Sequence, residues 1–176
     1  MKADVYVATS LDGFIAREDG AIDWLPNYGT MGEDYGYHAF LDTVDAHIMG
    51  RNTFEKVLSF DVPWPYSKPV YVWTSKEDVI PESHAGKAFP VSGSPQYIAA
   101  ILDSERVERA YIDGAATTQA FINAGYVDRI IVTTIPILIG SGIPLFGELD
   151  KDLQLNFVAS KSWPSGLSQT TYSVKP

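Results

Sequence analysis

Cysteine is absent from this 176-residue chain. Its absence excludes disulfide staples, thiolate metal sites and cysteine nucleophiles, and it fits a reducing compartment. Positive charge is scarce, with 13 Lys and Arg against 22 Asp and Glu for a formal charge of −9. No basic block stands out, so no nucleic-acid partner is expected, because phosphate backbones are held by concentrated positive surface. Long hydrophobic runs are also missing: no segment approaches the roughly 20 apolar residues that span a bilayer. The start Met1-Lys2-Ala3-Asp4-Val5-Tyr6-Val7 lacks the basic opening and unbroken apolar stretch of a secretory signal. The expectation is a soluble, cytoplasmic protein with no membrane partner. His38, His47 and His84 stand apart, none with zinc-motif spacing, so no metal site is expected.

What is present is an alternation of strand-like and helix-like segments. Residues 3–10 alternate and are rich in Val, Tyr and Thr, which predicts a strand. Asp12-Gly13 and Asp19-Gly20 punctuate a loop running to Pro26. Tyr37, Phe40, Leu41 and Val44 lie near helical spacing and predict a helix over 33–43. A strand at 45–49, a helix from Arg51 and a buried strand at Val70-Tyr71-Val72-Trp73-Thr74 follow. After a poorly patterned stretch, Ser94-Pro95 announces a helix to about Leu102. The pattern then predicts a strand at 109–113, a helix at 114–124 stopped by Gly125, and a long strand at 127–135. Alternating runs near 152–162 and 167–174 flank Pro164-Ser165-Gly166 as a closing antiparallel hairpin. Without an internal repeat or linker, residues 1–176 read as one α/β domain built on a mostly parallel sheet.

Four loops fall at the carboxyl ends of these strands, where open α/β sheets bind ligands. They are Thr9 to Ala16, Gly50 to Glu55, Thr74-Ser75-Lys76, and Asp113 to Thr117. The second and fourth are strand-glycine-helix junctions, which offer unpaired N–H groups and a positive helix end to an anion. Two such junctions facing one crevice suit a dinucleotide, although no G-x-G-x-x-G follows the first strand. Arg51 adds a guanidinium fork and Thr53 a hydroxyl.

These loops, in this order, resemble the dihydrofolate reductase superfamily, and within it the reductase domain of the bifunctional riboflavin-biosynthesis deaminase-reductase and its stand-alone relatives. The resembling residues are Ser10-Leu11-Asp12-Gly13-Phe14-Ile15-Ala16, Val44-Asp45-Ala46, Gly50-Arg51-Asn52-Thr53-Phe54-Glu55, Val127-Asp128-Arg129 and Pro136-Ile137-Leu138-Ile139-Gly140-Ser141-Gly142-Ile143-Pro144-Leu145-Phe146. The resemblance implies a three-layer fold with helices on both sheet faces. It also implies NADPH as cofactor and hydride transfer to a pterin or pyrimidine, similar to 5-amino-6-(5-phosphoribosylamino)uracil reductase. Three departures stand out. Ala115 replaces the second of the family's paired glycines, the Asp-x-Pro-x-Leu-Thr string is missing at Phe60-Asp61-Val62-Pro63-Trp64-Pro65, and the lack of Cys excludes the usual deaminase zinc ligands.

The cofactor residues expected on this basis are Gly50, Arg51, Thr53, Thr74, Ser75, Lys76, Gly114, Ala115, Ala116 and Thr117. Asp34 lies sixteen residues before Gly50, where dihydrofolate reductases carry a carboxylate. Shielded by Trp24, Tyr37 or Phe40, its pKa would rise and it would serve as a proton donor; alternatively it is an ordinary carboxylate in the first turn of a helix. Asp12 is either a second catalytic candidate or part of an Asp-Gly turn. Ser10 and Trp24 are expected on the substrate side, and the partner is a small heterocycle. The resemblance further suggests a homodimer, with Ile135 to Phe146 as an apolar contact or as core. Dihydrofolate reductase activity, and a nucleotide-binding protein without turnover, remain open alternatives.

Overall fold

The computed structural model describes residues 1–25, 33–60, 62–76 and 78–175. Pro26, at the end of the expected first loop, and Asp61 lie outside the described residues. β1 (Lys2–Ser10) sits inside an eight-stranded sheet beside β6 (Arg109–Asp113) and β7 (Arg129–Ile135), parallel to both. Beyond β6 come β3 (Ala46–Gly50), β4 (Val70–Trp73) and β5 (Ala88–Val91), all parallel. Beyond β7 come β10 (Ser168–Val174) and β9 (Leu155–Ser162), paired antiparallel as the closing hairpin. The sheet order is thus β5-β4-β3-β6-β1-β7-β10-β9.

Alternate residues of each strand point to opposite faces, and among the described residues each face carries two α-helices. On one, Val5, Ile48 and Ile112 pack against Ile98 and Leu102 of α3 (Pro95–Ser104) and Phe121 and Ile122 of α4 (Ala115–Asn123). On the other, Tyr111 and Ile131 meet Phe40 of α1 (Tyr37–Leu41), while Met49, Val70 and Val72 meet Phe54 of α2 (Arg51–Leu58). The fold is the three-layer dihydrofolate-reductase-like α/β arrangement.

Three features differ from the sequence pattern. β5 lies in the poorly patterned stretch; its Pro90 breaks the strand signal, and a sheet edge is where proline is tolerated. α1 spans only 37–41, so Asp34 precedes the helix instead of occupying its first turn. A small second sheet pairs β2 (Phe14–Ala16) with β8 (Ile143–Pro144), binding the first loop to the glycine-rich segment.

Several of the family-like residues clamp the amino ends of the strands, far from the loops. Asp128 accepts a hydrogen bond from the Ala3 N–H (2.8 Å), and Asp45 accepts from the Glu108 and Arg109 N–H groups. Asp4 is fully buried, and it is held by Arg109 (2.6 Å) and Arg129 (2.5 Å). Burying such a carboxylate is tolerable because both oxygens are paired. A cleft of about 730 Å³ opens at this end between residues such as Lys2, Asp45, Arg106 and Glu108, remote from the strand-end loops.

Candidate functional site

Because β4, β3, β6, β1 and β7 are consecutive in the sheet, the loops leaving their carboxyl ends form one continuous rim. Gly50 is level with Trp73, and Met49 with Asp113. The Thr74-Ser75-Lys76, Gly50-Arg51 and Gly114-Ala115 segments are therefore neighbours. α2 leaves β3 toward one face and α4 leaves the adjacent β6 toward the other, which opens the crevice in which α/β sheets hold nucleotides.

At this crevice the two helix starts interlock. A Cβ on Gly114 would collide with Thr53 Oγ1, and one on Gly50 would lie 3.2 Å from Thr117 Oγ1. Gly114 also has φ 87° and ψ 143°, a conformation open essentially to glycine alone. Neither helix start has a side-chain cap or an acidic residue in its first turn. Their leading N–H groups thus have no intrahelical or side-chain acceptor and are available to an anion. Thr53, Ala115, Ala116 and Thr117 lie in these first turns. Ala115 in place of a second glycine is buried without strain.

The flanking side chains are more exposed. Arg51 makes an i,i+4 pair with Glu55 at 3.1 Å while its side chain is 36% exposed. Thr74 Oγ1 accepts from the Lys76 N–H at 3.1 Å, which turns the chain after β4 and leaves Ser75 and Lys76 exposed.

On the α1 face, a cavity of about 190 Å³ lies between β1, β7 and the start of β10, lined by Ala8, Leu25, Ile135 and Leu167 with Tyr6, Tyr35, Thr133 and Asp34. Gln169 donates to Tyr6 Oη (3.0 Å) and Thr133 Oγ1 (2.9 Å), while the Tyr6 hydroxyl donates to the Tyr35 carbonyl (2.9 Å). Trp24 is buried behind this wall against Ile135 and Leu167, so it supports the cavity from behind.

The carboxylates depart from the sequence expectations. Asp34 reaches the cavity, but its pKa is lowered to about 2, not raised. The Gly36 N–H is the largest cause, followed by the His38 ring and the His38 N–H. Asp34 is exposed and caps the turn into α1, so nothing desolvates it enough to favour the protonated form. Asp12 is likewise held low, first by the Ser10 hydroxyl, with the Gly140 and Ile139 N–H groups adding to it. Its oxygens accept those N–H groups at 2.8 and 3.3 Å and tie the first loop to the glycine-rich segment. Ser10 is buried and its Oγ accepts from the Phe14 N–H, so it shapes the same loop.

The group that sequence reasoning passed over is Asp113. It ends β6 on the α1 face, level with Met49, among Tyr37, Tyr66 and Tyr111, whose pKa values it helps to raise. Burial pushes its own pKa up to about 6, opposed by the Gly114 N–H. A signal existed: it is the acid directly before a strand-end glycine, on a strand otherwise made of Ala, Tyr and Ile beyond Arg109.

A family model, the RibD C-terminal domain, matches residues 4–168. The chain belongs to this family. A candidate riboflavin biosynthesis protein from Shewanella sp. PV-4 is 42% identical over the full length of both chains, with a TM-score of 0.94. The uncharacterized protein YwjB of Bacillus subtilis (strain 168) is 37% identical over 163 residues, 92% of each chain. Dihydrofolate reductase from Enterococcus faecalis, complexed with NADP(H), shares the fold at a TM-score of 0.68 and 20% identity, covering 99% of this chain and 97% of that one. The RibD C-terminal family comprises NADPH-dependent reductases. The interlocked helix starts fit such a cofactor, because the two glycines let the helix starts approach closely and so bring two sets of uncapped N–H groups side by side, as a diphosphate would require. Among the described residues no group of three or more His, Asp or Glu could hold a metal, and no helix is long and apolar enough to cross a membrane.

Proposed function

We propose that this protein is a cytoplasmic, NADPH-dependent reductase acting on a small pterin- or pyrimidine-type heterocycle. The observation that carries the reading is the contact between two uncapped helix starts, Thr53 against Gly114 and Thr117 against Gly50. Gly50, Thr53, Gly114, Ala115, Ala116 and Thr117 would hold the diphosphate, with Arg51, Thr74, Ser75 and Lys76 at the adjacent strand ends for a further phosphate. Bound NADPH supplies the hydride. The chain's own work is to orient the ring, exclude water and manage a proton.

For that proton, Asp113 is the better-placed reserve, since a general acid works best with a pKa near the operating pH. Asp34, ionised at neutral pH, serves as an acceptor toward an N–H edge of the ring. Asp12 keeps the first loop in place. The low pKa values of both acids expected from the sequence favour a second reading, nucleotide binding without turnover.

NADPH absorbance followed over a panel of dihydropterins and aminopyrimidines separates the two. Oxidation supports the reductase, whereas binding without oxidation supports the second reading. Inhibition by a folate analogue would identify dihydrofolate as the substrate. The reading includes a homodimer, and its supporting feature is β9 instead of the 135–146 segment. Every β9 residue is exposed, including Phe157 and Val158, and an uncovered edge strand readily pairs with another. Light scattering on the purified protein tests it, with twice the chain mass expected.

A further inference from the structure

Resting on the reductase reading, the cavity beside α1 carries an inference about the substrate itself. Four of its walls are apolar: Ala8, Leu25, Ile135 and Leu167. At about 190 Å³ it falls below the roughly 300–1,000 Å³ typical of drug-sized ligands, so it suits a ring system and little more. Its polar groups are nearly spoken for. Tyr6 donates to the Tyr35 carbonyl and accepts from Gln169, and Thr133 accepts from Gln169, which leaves the Thr133 hydroxyl proton and the Asp34 carboxylate facing a ligand.

The one charged group on the lining is Asp34, held ionised by three hydrogen bonds. No Lys, Arg or His lines the cavity among the described residues. The intervening sequence 26–32, Pro-Asn-Tyr-Gly-Thr-Met-Gly, contains none either. His38 meets Asp34 from outside with its side chain 82% exposed, and Lys161 lies over the Trp163 ring at 4.6 Å, off the lining. A phosphoryl group brought to this cavity would find no counter-charge and one fixed anion.

We propose that this site takes an uncharged heterocycle and rejects its phosphorylated form, so that the substrate is a dephosphorylated ring compound and not a phosphoribosyl one. The positive character of the site is confined to the cofactor cradle at the β3 and β6 ends. The α1 face, with Asp34 and Asp113, selects neutral N–H-bearing rings by hydrogen bonding and shape. The reaction that supplies the substrate would then be a phosphate-ester hydrolysis, or a synthesis that never adds the phosphate.

The test uses 5-amino-6-(ribosylamino)uracil and its 5′-phosphate, titrated calorimetrically into the whole protein with and without saturating NADP⁺. The riboside should bind at least about ten-fold more tightly in both conditions, and Asp34→Asn should narrow that ratio by about three-fold or more. Equal or tighter binding of the phosphate overturns the proposal. So does a phosphate preference that Lys161→Ala abolishes, because it would locate an anion anchor outside the cavity, and so does failure of both compounds to bind. The reductase reading fails separately, if NADPH gives no thermal stabilisation of the wild-type protein while the riboside still outcompetes its phosphate.

Discussion

The starts of α2 and α3 share a backbone conformation and differ in whether a side chain closes the helix. Gly50, the N-cap of α2, has φ −71° and ψ 158°, and Ser94, the N-cap of α3, has φ −74° and ψ 160°. The backbone is the same within a few degrees. Ser94 uses its side chain to accept the Tyr97 N–H (3.3 Å) and closes its own helix, as a cap should. Gly50 has no need of glycine for its φ, yet it leaves the start of α2 open. What glycine supplies there is room, since a Cβ would press on Thr117 Oγ1. α4 repeats the theme in a stricter form, because Gly114 is constrained by both its φ and its contact with Thr53. The start of α3 is closed by its own side-chain cap, whereas the starts of the two helices at the crevice have none.

The strongest way to break this comparison is Gly114→Val. A branched residue in that region of φ/ψ costs about 1–3 kcal/mol, and crowding Thr53 adds about 1–3 kcal/mol. Thermal unfolding should show a large loss of stability, and the remaining native protein should lose the NADPH-induced rise in melting temperature. A normal melt with an intact rise would remove Gly114 from the site.

Next in size is Asp113→Asn. The folded pKa near 6 against an ordinary 3.8 means the fold prefers the protonated acid. Its stabilising contribution is complete below about pH 4 and is lost as pH rises through 6. At pH 7 the Asn variant should therefore be more stable by up to about 3 kcal/mol, and near pH 4 the gain should vanish. Urea unfolding at the two pH values measures it, and turnover tests whether the titrating proton is used.

Arg51→Ala should weaken NADPH binding by about 1.5–3 kcal/mol, or ten- to hundred-fold, and NADH binding less. Stability should hardly change, because an exposed i,i+4 pair such as Arg51–Glu55 contributes about 0.3–0.5 kcal/mol. Titration of both cofactors decides it. The smallest effect isolates the comparison itself. Ser94→Ala should cost about 1 kcal/mol of stability and leave NADPH binding intact, whereas Gly50→Ser, whose Cβ would press on Thr117, should impair NADPH binding. If both variants bound cofactor alike, the open start of α2 would have no ligand to serve.

The two sides of the site were unequally legible. Arg51, Thr53 and Thr117 lie within a turn of a strand-ending glycine, so their place at the helix starts is visible in a short stretch of sequence. Asp34 lines a cavity, but its pKa is lowered and not raised as a shielded acid's would be, because the Gly36 and His38 donors act through a turn geometry that spacing does not reveal. Asp12, a catalytic candidate or part of an Asp-Gly turn from the sequence, accepts from the Gly140 N–H, 128 residues away, a contact that no local pattern reveals. Asp113 went unnoticed because only its burial, beside Tyr111 of its own strand and Tyr37 and Tyr66 from two other segments, makes it unusual.

By itself the sequence determined the local chemistry: strands that end in glycine, helices that begin there without a capping side chain, and a chain with no thiol and few cations. These follow from backbone sterics and hydrogen bonding within a few residues. Tertiary structure alone decided that Gly50 and Gly114, distant in sequence, lie at the ends of adjacent strands, that one carboxylate's pKa is lowered and another's raised, and that among the described residues no cation lines the cavity beside α1. Those properties depend on desolvation and on which charges and donors fold up beside a group, and neither is written in the order of residues around it.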